Sequence, residues 1–443
     1  MSTTRQSAGY SAWRAPILFA VLGCLFVLEG SVNNAMFSGS WNTALAILNM
    51  GLLSAITALG VNMQWGYAGL FNVGVVGFLA LGGLAPVLVS LPPVEGAWQA
   101  GGPRLLASLA LAVAVLAVAK LVWTRTRSGI AIAIILLAGF IAYRFLFDPA
   151  VIAIESNSSA RHGNIGGLGL PVLLSWGVGG LFAAGAAWAI GKVALGLRSD
   201  YLAIATLGIG EIIVAVMKNE DWLARGVKNI TSIPRPVAYE VDLQNNAEFV
   251  AAAKDWGFQA AEASGIWVKL SYMSLFLVVL LAIILLAELA LKSPWGRMMR
   301  AIRDNETAAE AMGKNVTRRH LQVFILGSAV IGIAGAMMVT LDGLLTPTSY
   351  NPLRYTFLIW VMVIVGGSGN NWGAVLGAVT IWFLWIKVEV WGPALIAMLT
   401  APMPDGDLKM HLLDSAPHMR FIAMGLVLLL VLRFAPRGLL PEK

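Results

Sequence analysis

The chain has 443 residues, 58% of them hydrophobic and only 12% charged, with a mean hydropathy of +0.78. A soluble domain carries about twice that charged fraction, so the composition excludes a soluble protein and points to a polytopic membrane protein. The net charge of +7 does not call for nucleic acid, because Lys and Arg gather in particular loops, as the positive-inside rule expects.

Taken in chain order, the apolar run from Ile17 to Leu28 follows Arg14 and has no small-x-small cleavage site after it. It reads as a first transmembrane helix, not as a cleaved signal. It also holds the only cysteine, Cys24, which leaves no disulfide framework. A spanning helix needs about 20 apolar residues, fewer where it is broken or buried in protein. Candidate spans are 16–32, 42–62, 67–91, 104–122, 129–147, 171–191, 201–217, 267–291, 320–341, 355–369, 372–391 and 420–434. The segments 67–91, 201–217 and 355–369 are short or glycine-interrupted. The expected fold is therefore an all-α polytopic membrane protein with roughly 10–12 transmembrane or partly re-entrant helices, forming a single transmembrane domain over 1–443.

Lys and Arg placement sets the orientation. With the N-terminus cytoplasmic, the inside loops hold Arg125 and Arg127, then Lys192 and Arg198, then the dense cluster within 292–319, and finally Arg433, Arg437 and Lys443. The loops 148–170, 218–266 and 392–419 fall outside. Of these, 218–266 is the one sizeable hydrophilic insertion. It opens with charge, passes the turn-rich Ile233 to Pro236, and ends in an amphipathic stretch from Asn246 to Ala263.

Two glycine clusters interrupt the apolar pattern. GYAGLFNVGVVGFLALGG (66–83) and GGSGNNWGAVLG (366–377) combine helix-breaking glycines with asparagines. Small residues let helices approach closely, and freed backbone groups inside a membrane need protein or water partners. Asn72, Gly208, Gly210, Glu211, Gly367 and Asn370 are the resulting candidates for a pathway; close packing alone is the competing explanation for each glycine. Among the ionisable residues inside apolar runs, Glu29, Glu211, Lys387 and Glu389 are singled out. Glu29 and Glu389 lie near segment ends and are expected to reach water. Glu211, between glycines, is the stronger functional candidate.

The loop 292–319 carries a helix signal of its own. Asp304 is a candidate N-cap, Glu306 to Met312 an alanine-rich body and Gly313 a stop. Ile302, Ala309 and Met312 fall near one face and Glu306 and Glu310 on another. A small helix on the cytoplasmic side is suited to docking a partner. No Walker A sequence, HExxH or nucleophile elbow is present. The histidines at 162, 320, 411 and 418 lack metal-ligand spacing. No catalytic residue, metal site or cofactor of its own is expected.

Four strings together resemble the permeases of branched-chain amino-acid ABC transporters, of the LivM type. GYAGLFNVGVVGFLALGG resembles their glycine-rich third helix, and LGLRSDYLAIATLGIGEII (195–213) their LRGDYLAIxTLGFGEI segment. SPWGRMMRAIRDNETAAEAMGKNV (293–316) resembles their cytoplasmic SxxGRxxxAIRxNExAAxxxGxxV loop, and GGSGNNWGAVLGA (366–378) their late GGxGxxxGxxxGA element. The resemblance covers about 42–391, with a longer N-terminal half and the 218–266 insertion as departures. It implies a multi-pass permease in a bacterial inner membrane, with both termini cytoplasmic. It further implies a LivH-type permease paralogue, two cytoplasmic ATPase subunits that bind ATP-Mg, and a periplasmic substrate-binding protein. Arg303, Asp304, Asn305, Glu306, Ala309 and Gly313 would couple to the ATPase. The implied cargo is a branched-chain or similar apolar amino acid. A urea or amide permease, a stand-alone secondary carrier and a non-transporting scaffold are the alternatives.

Overall fold

The computed structural model describes residues 3–34, 36–157 and 163–442. His162 and Lys443 lie outside the described residues. Helices dominate, and among the described residues ten are long and apolar enough to cross a membrane, with two shorter apolar helices beside them. This is an all-α polytopic membrane protein.

Helix α1 (Thr3–Ser31) is followed by α2 (Trp41–Ala68) and the short α3 (Val75–Ser90). α4 (Glu95–Thr126) and α5 (Gly129–Ser156) form a hairpin, and α6 (Val172–Ala194) and α7 (Ser199–Asn219) follow, each packed on α3. A polar segment then holds α8 (Asp221–Ala224), the strand β1 (Ile230–Thr231), α9 (Glu240–Gln244) and α10 (Ala247–Asp255). α11 (Ala260–Lys292) runs back across the bundle to α12 (Pro294–Asp304) and α13 (Glu306–Ala311). α14 (Val316–Asp342) returns to β2 (Leu344–Leu345), which pairs antiparallel with β1. A π-turn at Leu353–Phe357 leads into α15 (Leu358–Gly366), and α16 (Asn371–Thr400), α17 (Asp407–Ser415) and α18 (Met419–Phe434) complete the chain.

Burial and not apolarity separates the core helices from the outer ones, since α4 and α5 are at least as apolar as α2, α14 and α16. α2, α14 and α16 are 83%, 72% and 67% buried through their most apolar stretch, against 17% and 11% for α4 and α5. In a membrane an apolar helix can face lipid or protein; here α2 packs against α11, α14, α15 and α16, while α3 packs against α6, α7 and α14. The α4–α5 hairpin is joined to the rest at one end only, where Leu105, Ala150 and Ile154 meet Ile165 and Trp222.

The bundle has two distinct ends. The basic end holds α12, α13 and residues 435–442. The opposite end holds β1, β2, α9 and α10. α1 runs between them: Phe19 meets Trp372 edge-on at the start of α16, and Glu29 reaches Lys387 farther along it.

Several sequence boundaries move. α11 begins at Ala260, so the amphipathic end of the 218–266 insertion is part α10 and part spanning helix. α7 runs to Asn219, and α16 continues to Thr400 through Pro393. The helix expected over 306–312 is present as α13, and a second one, α12, precedes it. Ser293 caps α12, accepting from Gly296 N at 3.4 Å, and Asn305 caps α13, accepting from Ala308 N at 3.0 Å. Asp304 is therefore the last residue of α12 and not an N-cap, because its neighbour Asn305 takes the extended conformation (φ −157°, ψ 96°) that starts a new helix. Glu29 does not reach water. It is fully buried, paired with buried Lys387 at 2.5 Å and bonded by Ser38 Oγ at 2.7 Å. A carboxylate without contact with water needs such a partner.

Candidate functional site

The site is built from two helix breaks that meet at the basic end. α2 stops at Gly69, whose φ of +69° suits glycine without strain. Residues 69–74 then run without helix before α3 begins, so backbone groups are freed inside the bundle. Side chains satisfy them. Val73 N donates to Thr206 Oγ1 at 3.0 Å, Gly74 N to Asn72 Oδ1 at 2.9 Å, and Val76 N to Thr356 Oγ1 at 3.1 Å. Trp360 Nε1 donates to the Asn72 carbonyl at 3.0 Å. Irregular backbone at membrane depth persists only when buried and satisfied in this way.

The second break lies between α15 and α16. Gly367 has φ +114°, and a Cβ there would lie 2.4 Å from the Leu440 carbonyl, so only glycine fits. Asn370 caps α16, accepting from Trp372 N and Gly373 N at 3.1 and 3.3 Å, and its Nδ2 donates to Pro441 O at 3.3 Å. The chain terminus is stitched into the break through Leu439 N to Val365 O and Leu440 N to Gly366 O, at 2.8 and 2.9 Å.

Buried amides on α2 join the two breaks. Asn62 accepts from Gly369 N at 2.8 Å and donates to Asn371 Oδ1 at 3.2 Å. Tyr67 OH donates to the same oxygen, and Asn371 Nδ2 donates to Glu288 of α11 at 2.9 Å. Gln64 accepts from Asn72 Nδ2 at 2.8 Å and donates to Phe324 O and Ser328 Oγ of α14, both at 3.0 Å. In a low-dielectric interior such a network is rigid when complete and costly when one member is removed.

Arg303, the penultimate residue of α12, connects the basic loop to this network. Its Nη1 donates to the Gly66 carbonyl and pairs with Glu442 Oε2 at 2.9 Å, while Nε reaches Asp304 at 3.3 Å. Its aliphatic stem lies beside Gly69, and Nη1 beside Gly369. One guanidinium thus touches the end of α2, the second break and the chain terminus.

The other residues singled out from sequence fall in different places. Asp304, Glu306 and Gly313 are exposed, the last with φ +75°. Ala309 is 8% exposed and faces α14, whereas Met312 is 80% exposed, so the two do not share an outward face. The chain turns at Met312 and Gly313, after α13 has ended. Asn72, Gly367 and Asn370 come together around the breaks. Gly210 is buried, its Cα side against Gly74 and Gly77 of α3. Gly208 and Glu211 lie on the outward face of α7, and a Cβ at Gly208 would meet open space.

Sequence reasoning passed over Asn62 and Gln64 because it weighed amides only where glycines break the apolar pattern, and these two lie before the break, inside the continuous helix α2. It also passed over a second feature. A cavity of about 700 Å³ opens toward the end opposite the basic loop, between α2, α11, α14, the π-turn and α16. Its charged residues are Lys269, Asp342 and Arg354. Arg354 stands just before the expected span 355–369 and Asp342 just after 320–341, so each read as a loop residue. From the cavity floor a narrow crevice beside Ser54, Thr57, Leu79 and Ala334 leads toward the amide network and closes.

The chain resembles known proteins along most of its length. It is 24% identical to a probable branched-chain amino acid transport permease protein LivM of Methanocaldococcus jannaschii, across 88% of this chain and 90% of that one. It is 30% identical to the high-affinity branched-chain amino acid transport system permease protein LivM of Escherichia coli, across 46% of this chain and 47% of that one. The matched region thus spans about half the length of the Escherichia coli relative. A LivH permease protein of the same kind of system from Salmonella typhimurium is 22% identical over 41% of this chain and 64% of its own. No solved structure matches. The family described as branched-chain amino acid transport system, permease component, matches residues 43–432. With that match covering both helix breaks, the basic loop and the outer cavity, this chain belongs to the branched-chain amino acid transport permease family.

Proposed function

We propose that this chain is the LivM-type permease subunit of a binding-protein-dependent ABC importer that moves branched-chain or similar apolar amino acids across a bacterial inner membrane. The basic end is cytoplasmic with both termini, as the placement of Lys and Arg requires. Two cytoplasmic ATPase subunits bind ATP-Mg and dock on the α12–α13 loop. A LivH-type paralogue completes the pore, and a periplasmic binding protein delivers the amino acid to the opposite end. The observation that carries this reading is the Arg303 connection: the loop expected to meet the ATPase is bonded to the end of α2 and to Glu442, and lies against the second break at Gly369.

The mechanism follows from that connection. Movement of α12 shifts Gly66 through Arg303, and the amides of α2 pass the shift to α14, α15 and α16. The crevice below the outer cavity then opens toward the cytoplasm while the cavity mouth closes. ATP binding drives this only to the extent that the ATPases hold the two states with different affinity. The paralogue meets the outward face of α7, because a carboxylate such as Glu211 is costly against lipid and is satisfied at a watered subunit interface. Reconstitution of the four-component complex in proteoliposomes tests the reading. L-Leucine uptake is expected to need internal or external ATP on the ATPase side and the binding protein on the other. Uptake by this chain alone, driven by a proton or sodium gradient, would overturn it.

A further inference from the structure

The outer cavity is not accounted for by the coupling network, and its charges are arranged in an unusual way. Arg354 makes no ion pair and no side-chain hydrogen bond among the described residues. It is held instead between two aromatic faces, 5.1 Å from the Tyr355 ring centre and 5.4 Å from that of Trp382. Its Nε is buried without an acceptor, and so is Trp382 Nε1. Buried donors without partners are rare in folded proteins and call for an explanation. Both residues line the cavity and the crevice beneath it. Asp342 lines the same cavity, exposed to it, and likewise has no ion pair or hydrogen bond. Lys269, the third charge, is occupied by Asn42 Oδ1 at 2.7 Å. A cation and an anion that share one cavity, and feel each other's charge without forming an ion pair, leave room for something between them.

We propose that this cavity is a site for the zwitterionic head of an amino acid, with its carboxylate on Arg354 and Trp382 Nε1 and its ammonium on Asp342. A guanidinium that sits beside aromatic rings and has no carboxylate partner keeps its donor fork for a bound carboxylate. The apolar wall of Ile47, Met50, Met338, Val339 and Ile386 takes the side chain. The volume suits a small ligand with water. An uncharged amide such as urea has no use for both an unpaired cation and an unpaired anion. This assignment rests on the permease reading above and gives that reading a place where the substrate pauses.

The test uses thiol labelling. Ala46 lines the cavity and is exposed, so an Ala46→Cys chain with Cys24→Ser, in the assembled complex, is reacted with a membrane-impermeant thiol reagent. L-Leucine at about ten times its dissociation constant is expected to slow labelling about tenfold. L-Leucine methyl ester, which lacks the carboxylate, and 4-methylpentanoate, which lacks the ammonium, are expected to have little effect at the same concentration. Arg354→Gln and Asp342→Asn should each abolish protection while leaving the unprotected labelling rate intact, which shows that the cavity persists. Protection that survives in either variant, equal protection by the two analogues, or protection by urea and not by leucine would overturn the site. ATP-driven leucine uptake is measured on the same preparation. Uptake without protection overturns this site alone, whereas an assembled complex that takes up no leucine overturns the permease reading.

Discussion

Glu29 and Lys387 carry opposite charges deep in the bundle, 0% and 3% exposed, and join α1 to α16. Removing one partner of a buried pair leaves a charge with nothing to offset it, at a cost of about 3–5 kcal/mol, whereas removing both is often close to neutral. Lys387→Met is therefore expected to lower the unfolding temperature of the detergent-solubilised protein by several degrees. The double variant Glu29→Gln, Lys387→Met should recover most of that loss. A double variant as unstable as the single one would show that the pair is not the source of the effect. Arg303 belongs to another class of charge. It is 25% exposed, so its ion pair with Glu442 adds little to stability, and its significance lies in what it connects.

At the scale of elements, the loop between α11 and α14 is two short capped helices set at an angle. Ile302 and Ala309 face inward and Met312 outward. On the proposed reading, the surface left for an ATPase subunit is the exposed Glu306, Glu310 and Met312, since Ala309 is covered. Met312→Arg is expected to reduce ATPase stimulation and uptake together by about tenfold, as loss of an exposed apolar anchor does at an interface, with insertion and yield unchanged. Ala309→Arg, by contrast, forces a charge between α13 and α14 and lowers the yield of folded protein. Wild-type uptake by Met312→Arg would place the docking surface elsewhere. The apolar runs made most spans readable, and the glycine strings marked both helix breaks, because a run of apolar residues and a left-handed turn are local properties. What stayed hidden depends on long-range pairing. Asn62 looks like an ordinary amide until Gly369 and Asn371 are brought to it, and Glu29 looked like a residue at a helix end until Lys387 arrived from α16. Glu211 was legible as an intramembrane charge, but its outward direction on α7 depends on which face α3 covers.

At the scale of the whole molecule, three parts follow one another through shared lining residues and hydrogen bonds. The outer cavity sits at one end, a narrow crevice beneath it, and the amide network with both helix breaks beside the basic loop. The central claim is that Arg303 transmits movement from that loop to the breaks. The most direct measurement takes leucine uptake and ATP hydrolysis together in proteoliposomes, for the wild-type complex and for Arg303→Met. The account predicts that hydrolysis persists while uptake per ATP falls by about tenfold, equivalent to about 1.4 kcal/mol of lost coupling. An Arg303→Met complex that moves as much leucine per ATP as the wild type would contradict it.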